Sequence, residues 1–403
     1  MLIPKFVSRK NLIQYKELFG KIQKIDKDFS GSSPPGVFIG SKLPYPYVNV
    51  GILSPPEIRE DAWLYDAQNH WAKENFNIER VIELRSGLIN SRIKANVFDV
   101  RNNNRFLEKI QEIGMSNKTV DVEVELKKKL NVRLDFDNLV LPMGPRGQLK
   151  NLKLTENPKI PDKVEKVFYD KDLKAVEAID YLYKNDYDEH FLSKLLSIGV
   201  LGLGKNRKLV STRSSITAID DLIGKQLLNK IKDYNLINEY RLYFGNFMGN
   251  YYLIMFFPEV FSYELFELYL PKSSWNQSNE LKVATDYENF DGRKSYAENT
   301  VGGYYASRNS ILEFLEKIRK QASVLVLRFE TPEYWAALGV FVVRSAARKS
   351  LETNALMFNN KEEMLKYARN LILNSLNYDI SELLKRSILL EKIKTQMKLS
   401  SFI

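Results

Sequence analysis

The 403-residue chain contains no cysteine and only two histidines, His70 and His190. The first absence excludes disulfides, thiolate zinc sites, iron–sulfur clusters and cysteine nucleophiles. The second leaves too few imidazoles for a multi-histidine metal site, and neither histidine sits in a motif that would support a Ser-His-Asp triad. Metal chemistry would have to rest on Asp and Glu, which suits magnesium or manganese rather than zinc. Apolar runs of membrane-spanning length are also missing. The amino terminus, MLIPKFVSRKN, is too short and too charged for a secretory signal. The expectation is a cytoplasmic protein with no membrane partner.

What the chain does contain is an excess of cations: 60 Lys and Arg against 50 Asp and Glu, a formal charge of +10. Long-range attraction then favours polyanionic partners, nucleic acid among them. Apolar residues at 44% and charged residues at 27% give the balance of a folded chain, long enough for one large or two ordinary domains.

Residues 11–29 have apolar positions at helical spacing, with Lys16, Lys21, Lys24 and Lys27 between them and Lys10 just before, so they read as a basic amphipathic helix. Strands are predicted near Val37–Gly40 and Val48–Ile52, and helices at about 62–74, 78–90 and 103–113. VDVEVEL (120–126) alternates as a half-exposed strand does. The four prolines of 142–166 suggest a surface loop or linker. Two aromatic-rich runs in 250–271, split by Pro258, read as adjacent buried strands. A helix over 301–320, a buried strand over 321–330 and a mostly helical last hundred residues complete the pattern. The class is α+β, with mixed helices, a mainly antiparallel sheet and a helical carboxy-terminal region ending in a flexible tail.

The chain ends on apolar residues, QMKLSSFI. In one 3₁₀ turn, side chains three apart eclipse, so Leu399 and Phe402 would share a face with Ile403 beside them. Gln396 lies upstream with an amide that donates and accepts. This is the arrangement of a PIP box, the peptide that docks on the sliding clamp PCNA, with Ile403 where a second aromatic is usual. In RKLVSTRSSITAIDD (207–221), Ser214 or Ser215 could cap a helix. Arg207, Lys208 and Arg213 beside those hydroxyls would suit a phosphate, and Lys10 and Lys16 are further candidate nucleic-acid contacts. Asp220, Asp221, Glu264, Asp286 and Glu288 are the candidate catalytic or metal-binding acids. Asp286 and Glu288, two apart, would face the same way on a strand. Tyr304, Tyr305 and Arg308 could stack on a base and hold a phosphate, although core packing is the commoner fate of such tyrosines.

Taken together, GSSPPGVFIG (31–40), the segment 157–183, RKLVSTRSSITAIDD, FSYELFELYLP (261–271) and GRKSYAENTVGGYYASR (292–308) resemble the archaeal Nre family of DNA repair proteins. The resemblance implies a role in DNA damage repair, recruitment by the clamp through Gln396, Leu399, Phe402 and Ile403, and no established catalytic residue. Many members begin with a four-Cys motif associated with zinc and DNA. FVSRKNLIQYKELF has none of those ligands, so zinc is excluded there. A bulky aromatic usual within the family's TRSSITAIDD segment is Ser214 here. The expected organisation is a basic amino-terminal helix (1–30), an α+β region (31–285), a mostly helical region (286–395) and the PIP-box tail (396–403). The leading functional expectation is a clamp-recruited repair factor that binds DNA weakly and in a salt-sensitive way. A magnesium- or manganese-dependent nuclease and an adaptor without DNA affinity stay open beside it.

Overall fold

The structure, a computed structural model, describes residues 27–102, 104–130 and 141–395. Nearly all of the basic helix expected over 11–29, with Lys10 and Lys16, lies outside the described residues, as does the terminal octet 396–403. The chain divides into two compact units, Met1–Ile223 with Trp335–Gly339, and Gly224–Tyr334 with Val340–Ile403.

The first unit is built on β1 (Asp28–Ser33), β2 (Gly36–Ile39), β3 (Tyr47–Ser54), β4 (Ile89–Asn96), β5 (Val120–Leu126) and β6 (Arg146–Leu154), in the order β1-β5-β6-β4-β3-β2. Every pairing is antiparallel except β4 with β6. Its helices are α1 (Gln68–Lys73), α2 (Ile78–Ser86), α3 (Arg105–Met115), α4 (Asp162–Tyr169), α5 (Ala175–Tyr183), α6 (Glu189–Ser197) and α7 (Thr212–Ile231), within which the division between units falls. Caps set several starts. Asn104 accepts the N–H groups of Phe106 and Leu107 ahead of α3, and Asp188 accepts that of Phe191 ahead of α6.

Two expectations fail in this unit. The helix predicted over 78–90 stops at Ser86, and the chain turns at Gly87 into β4, whose INSRIKAN pairs on both sides. The stretch read as loop or linker contains β6, where RGQLKNLKL buries Gly147, Leu149 and Leu152 and leaves lysines outward. Prolines at 142, 145, 158 and 161 frame that strand rather than interrupt it.

The second unit holds β7 (Tyr240–Phe247), β8 (Asn250–Phe257), β9 (Ser262–Tyr269), β10 (Lys282–Glu288), β11 (Ser323–Glu330) and β12 (Leu356–Phe358), ordered β10-β9-β11-β8-β7-β12. The two aromatic-rich strands are therefore not neighbours: β11, buried at all eight positions, takes the central seat between them. It runs parallel to β9 and antiparallel to β8. The helices are α8 (Val301–Lys317), α9 (Val340–Leu351), α10 (Lys361–Leu376), α11 (Ser381–Lys385) and α12 (Ile388–Thr395). One sheet face, with Leu253, Met255, Phe266, Leu325 and Leu327, packs on Met364, Ala368, Ile372, Leu383 and Leu389 of α10, α11 and α12. The other face lies toward α8, where Phe256 meets Phe314 and Tyr263 meets Tyr304. Burial on both faces explains why these strands read as continuous apolar runs. The whole is α+β, with two mixed, mostly antiparallel sheets and a helical carboxy-terminal region.

The segment after Asp379 forms two short helices. The Asp379 carboxylate accepts the N–H and hydroxyl of Ser381 ahead of α11, and the chain breaks at Arg386–Ser387 before α12 begins. Glu264 of β9 holds that break. Its buried carboxylate accepts bonds from the Ser387 hydroxyl (2.5 Å), Ile388 N–H (3.0 Å) and Leu389 N–H (3.0 Å). These amides are among the groups that a helix leaves unpaired at its start. Burial raises the Glu264 titration, and the three donors offset part of that rise. Glu264→Ala is expected to destabilise the protein by about 3 kcal/mol and lower Tm by roughly 6–12 °C. Glu264→Gln, which keeps one acceptor oxygen, should fall between the two. Thermal unfolding followed by circular dichroism measures both, and an unchanged Tm in the alanine variant would contradict the role.

Candidate functional site

The acids singled out on strands do not gather. Asp286 and Glu288 do face the same way, as their spacing predicts, but they face α8. Asp286 accepts the N–H groups of Asn299 (3.0 Å) and Thr300 (2.7 Å), the Thr300 hydroxyl (2.8 Å) and the Arg293 guanidinium (3.3 Å). Glu288 is paired with Arg308 at 2.9 Å, both side chains fully buried. Glu264, one residue out of phase, faces the other side and holds α12. Among the described residues no three His, Asp or Glu side chains lie close enough to hold a metal ion. The candidate acids Asp220, Asp221, Glu264, Asp286 and Glu288 form no such group there. A helix start or an arginine satisfies each strand acid instead.

The densest polar cluster lies on the α8 face of the second sheet, around a residue that sequence reasoning passed over. Arg328 interrupts the apolar run VLVLRF of the SVLVLRFE strand. Its Nε and Nη2 donate to Asn250 Oδ1 at 3.0 and 2.6 Å, Nη1 to Glu267 Oε1 at 2.5 Å, and Nη2 to Glu330 Oε2 at 3.3 Å. The Tyr269 hydroxyl donates to Glu267 Oε2 (2.6 Å), while Ser274 Oγ and Trp275 N–H donate to Glu330 Oε1 (3.0 Å each). Burial works against the Arg328 charge, yet Glu267, Tyr252 and Glu330 hold its titration above the ordinary value. Register explains the meeting: Arg328 lies opposite Glu267 on β9 and Tyr252 on β8. The cluster needs α8 close by, and Gly303 permits it, since a Cβ there would lie 2.0 Å from Glu267 Oε1. The signal available in sequence was a lone arginine in an apolar strand, which demands buried acceptors.

The candidate phosphate contacts separate. Arg207 is buried and donates to the carbonyls of Gly202, Phe168, Val167 and Asp170, so it staples a loop rather than meeting a phosphate. Helix α7 starts before the expected cap: Ser211 Oγ accepts the Ser214 N–H and donates to its hydroxyl. Ser215, Asp220 and Asp221 are buried, while Lys208, Arg213 and Ser214 are exposed. Tyr304, Tyr305 and Arg308 are buried in α8, with the guanidinium over both rings at 5.8 and 5.2 Å. They form core rather than a stacking surface for a base. Gln396, Leu399, Phe402, Ile403, Lys10 and Lys16 lie outside the described residues.

Comparison with known proteins follows the length of the chain. The profile described as Archaeal Nre, N-terminal matches residues 10–276, and Archaeal Nre, C-terminal matches 288–402. The chain is 37% identical over 363 residues to "DNA repair protein NreA" of Archaeoglobus fulgidus, covering 89% of each. It is 36% identical over 369 residues to "DNA repair protein NreB" of the same organism, covering 91% of this chain and 90% of that one. To "DNA repair protein NreA" of Haloferax volcanii the identity is 34% over 347 residues, covering 85% and 82%. No solved structure matches the chain.

Solution measurements can reach the buried cluster through Glu330. Burial pushes its carboxyl up to about 7, further than the Arg328 charge pulls it down. The folded state then holds a proton that the unfolded chain releases from its ordinary value near 4.5. Stability from this group is full below about pH 4.5 and is lost as pH rises through about 7, a change of about 3 kcal/mol. In denaturant titrations from pH 4.5 to 8, the wild type should lose that increment, and Glu330→Gln should not. Parallel pH curves for the two proteins would contradict the assignment.

Proposed function

Because the chain belongs to the archaeal Nre family, we propose that it serves DNA repair as a factor that binds DNA and is brought to the sliding clamp PCNA by its last eight residues. The observation that carries the repair role is the match to both Nre regions, 10–276 and 288–402, together with the identity to relatives named as DNA repair proteins. Recruitment to the clamp rests on the spacing of Gln396, Leu399, Phe402 and Ile403. A 3₁₀ turn would present Leu399 and Phe402 together to one apolar pocket. The described fold supports this arrangement. Helix α12 ends at Thr395, and its attachments, Glu264 at its start and the buried Leu389, lie upstream of Gln396. A nuclease using the five candidate acids finds no gathered carboxylates among the described residues to favour it.

A short peptide that orders on binding is expected to reach roughly micromolar affinity, about 8 kcal/mol. Deleting residues 396–403, or Phe402→Ala, should nearly abolish binding to the clamp in calorimetry and leave Tm unchanged. A drop of several degrees with clamp binding intact would place Phe402 and Ile403 in the protein's own core. DNA binding should be chiefly electrostatic, given the charge of +10. Fluorescence titrations at several salt concentrations should show affinity falling steeply with salt and depending little on sequence. A flat salt response would contradict this.

A further inference from the structure

Strand alternation in the first unit sorts one sheet into two unlike faces. Val48, Val50 and Leu149 are buried on one side. The other side carries Asn49 of β3, Arg92 and Lys94 of β4, and Arg146 and Gln148 of β6. The register places Asn49 opposite Lys94, and Arg92 opposite both Gly51 and Gln148. Gly51 brings no side chain to the row, and a Cβ there would lie 3.3 Å from that of Arg92. Lys128 and Lys129, just past β5, complete a cleft of about 340 Å³ lined by these five cations, the two amides, Ile93 and Gly147. No carboxylate lines it among the described residues.

Among these cations Arg92 carries the strongest signal. The Arg92 side chain is partly buried and makes no hydrogen bond or ion pair among the described residues, unlike those of Arg328, Arg308 and Arg85, which all hold carboxylates. Burial lowers its titration, and burial together with the Arg92 charge lowers that of Arg146. A partly desolvated guanidinium without a carboxylate partner is relieved by an anion that it can fork. Aromatic surface adjoins the cleft. Lys94 Nζ lies 4.1 Å from the ring centre of Tyr47, which is 43% exposed, and Tyr45 beside it is 72% exposed. Cations that track a backbone, with exposed rings alongside, are the two components of a surface for unpaired nucleic-acid strands.

We propose that this cleft binds the phosphodiester backbone of single-stranded DNA through Arg92, Lys94, Lys128 and Arg146, with Tyr47 as a stacking platform for a base. The assignment rests on the DNA-binding part of the proposed function and gives it a place. Full-length protein is titrated with a fluorescent oligo-dT and with a duplex of equal length, over a range of salt concentrations. Wild type should prefer the single strand. Arg92→Glu should weaken that binding about tenfold or more and lower the salt slope by about 1. Lys94→Glu, at an exposed position, should act in the same direction and guards against misfolding of the Arg92 variant. Tyr47→Ala should reduce the preference for single strand over duplex. Lys205→Glu, an exposed lysine outside the cleft, should leave the affinity close to wild type. Competition with inorganic phosphate or a free nucleotide that displaces the oligonucleotide at micromolar concentration would reassign the cleft to a small anion and overturn the strand proposal. Tight wild-type binding that survives both Arg92→Glu and Lys94→Glu would overturn the location while leaving DNA binding standing. Failure of the wild type to bind any DNA would overturn both.

Discussion

The charge of Arg328 governs the second unit. It lies on the central strand of a sheet covered on both faces, where an unpaired guanidinium would cost several kcal/mol. Asn250 from β8, Glu267 from β9 and Glu330 from its own strand meet it, and Tyr269, Ser274 and Trp275 occupy the remaining carboxylate oxygens. This requirement ties three strands into one register and brings α8 close enough that position 303 must lack a Cβ. A slip of one residue would turn Arg328 into the apolar face packed on α10 and α12.

Acids on strands serve a second purpose as helix clasps. Asp286 gathers the backbone entering α8, and Glu264 gathers that entering α12, from opposite faces of the same sheet. Neither carboxylate belongs to the residue before its helix: Asp286 lies 14 residues before the Thr300 amide, and Glu264 lies 124 before that of Ile388. A negative group near a helix start is favoured by the partial positive charge there. Both residues carry a binding role for protein amides, the role that catalytic acids would play toward a metal or substrate.

Local patterns made part of this legible. VDVEVEL alternates and forms β5 over the expected residues, 120–126, and the apolar runs around Pro258 are strands. The shared orientation of Asp286 and Glu288 followed from their spacing, but what they face did not, because Arg308 is 20 residues away in sequence. The neighbour relation of β8 and β9 was misread, since sequence order cannot show that β11 inserts between them. The basic cleft was hidden for a related reason. Its floor joins β4, which looks like the end of a helix, to β6, which looks like a proline-framed loop. Arg92 and Arg146 become neighbours only once these two strands pair.

The clasp between Glu264 and α12 also bears on how the protein is made. Glu264 and Ser387 are separated by 123 residues, so β9 leaves the ribosome long before the donors that satisfy its carboxylate. Until the last stretch is synthesised, Phe266 and Leu268 lack the cover that Leu389 provides, and the unit cannot close. Premature termination anywhere before Ser387 therefore yields a chain that exposes apolar surface and a buried-type acid together, a substrate for proteolysis. The fold thus selects for chains synthesised at least as far as α12.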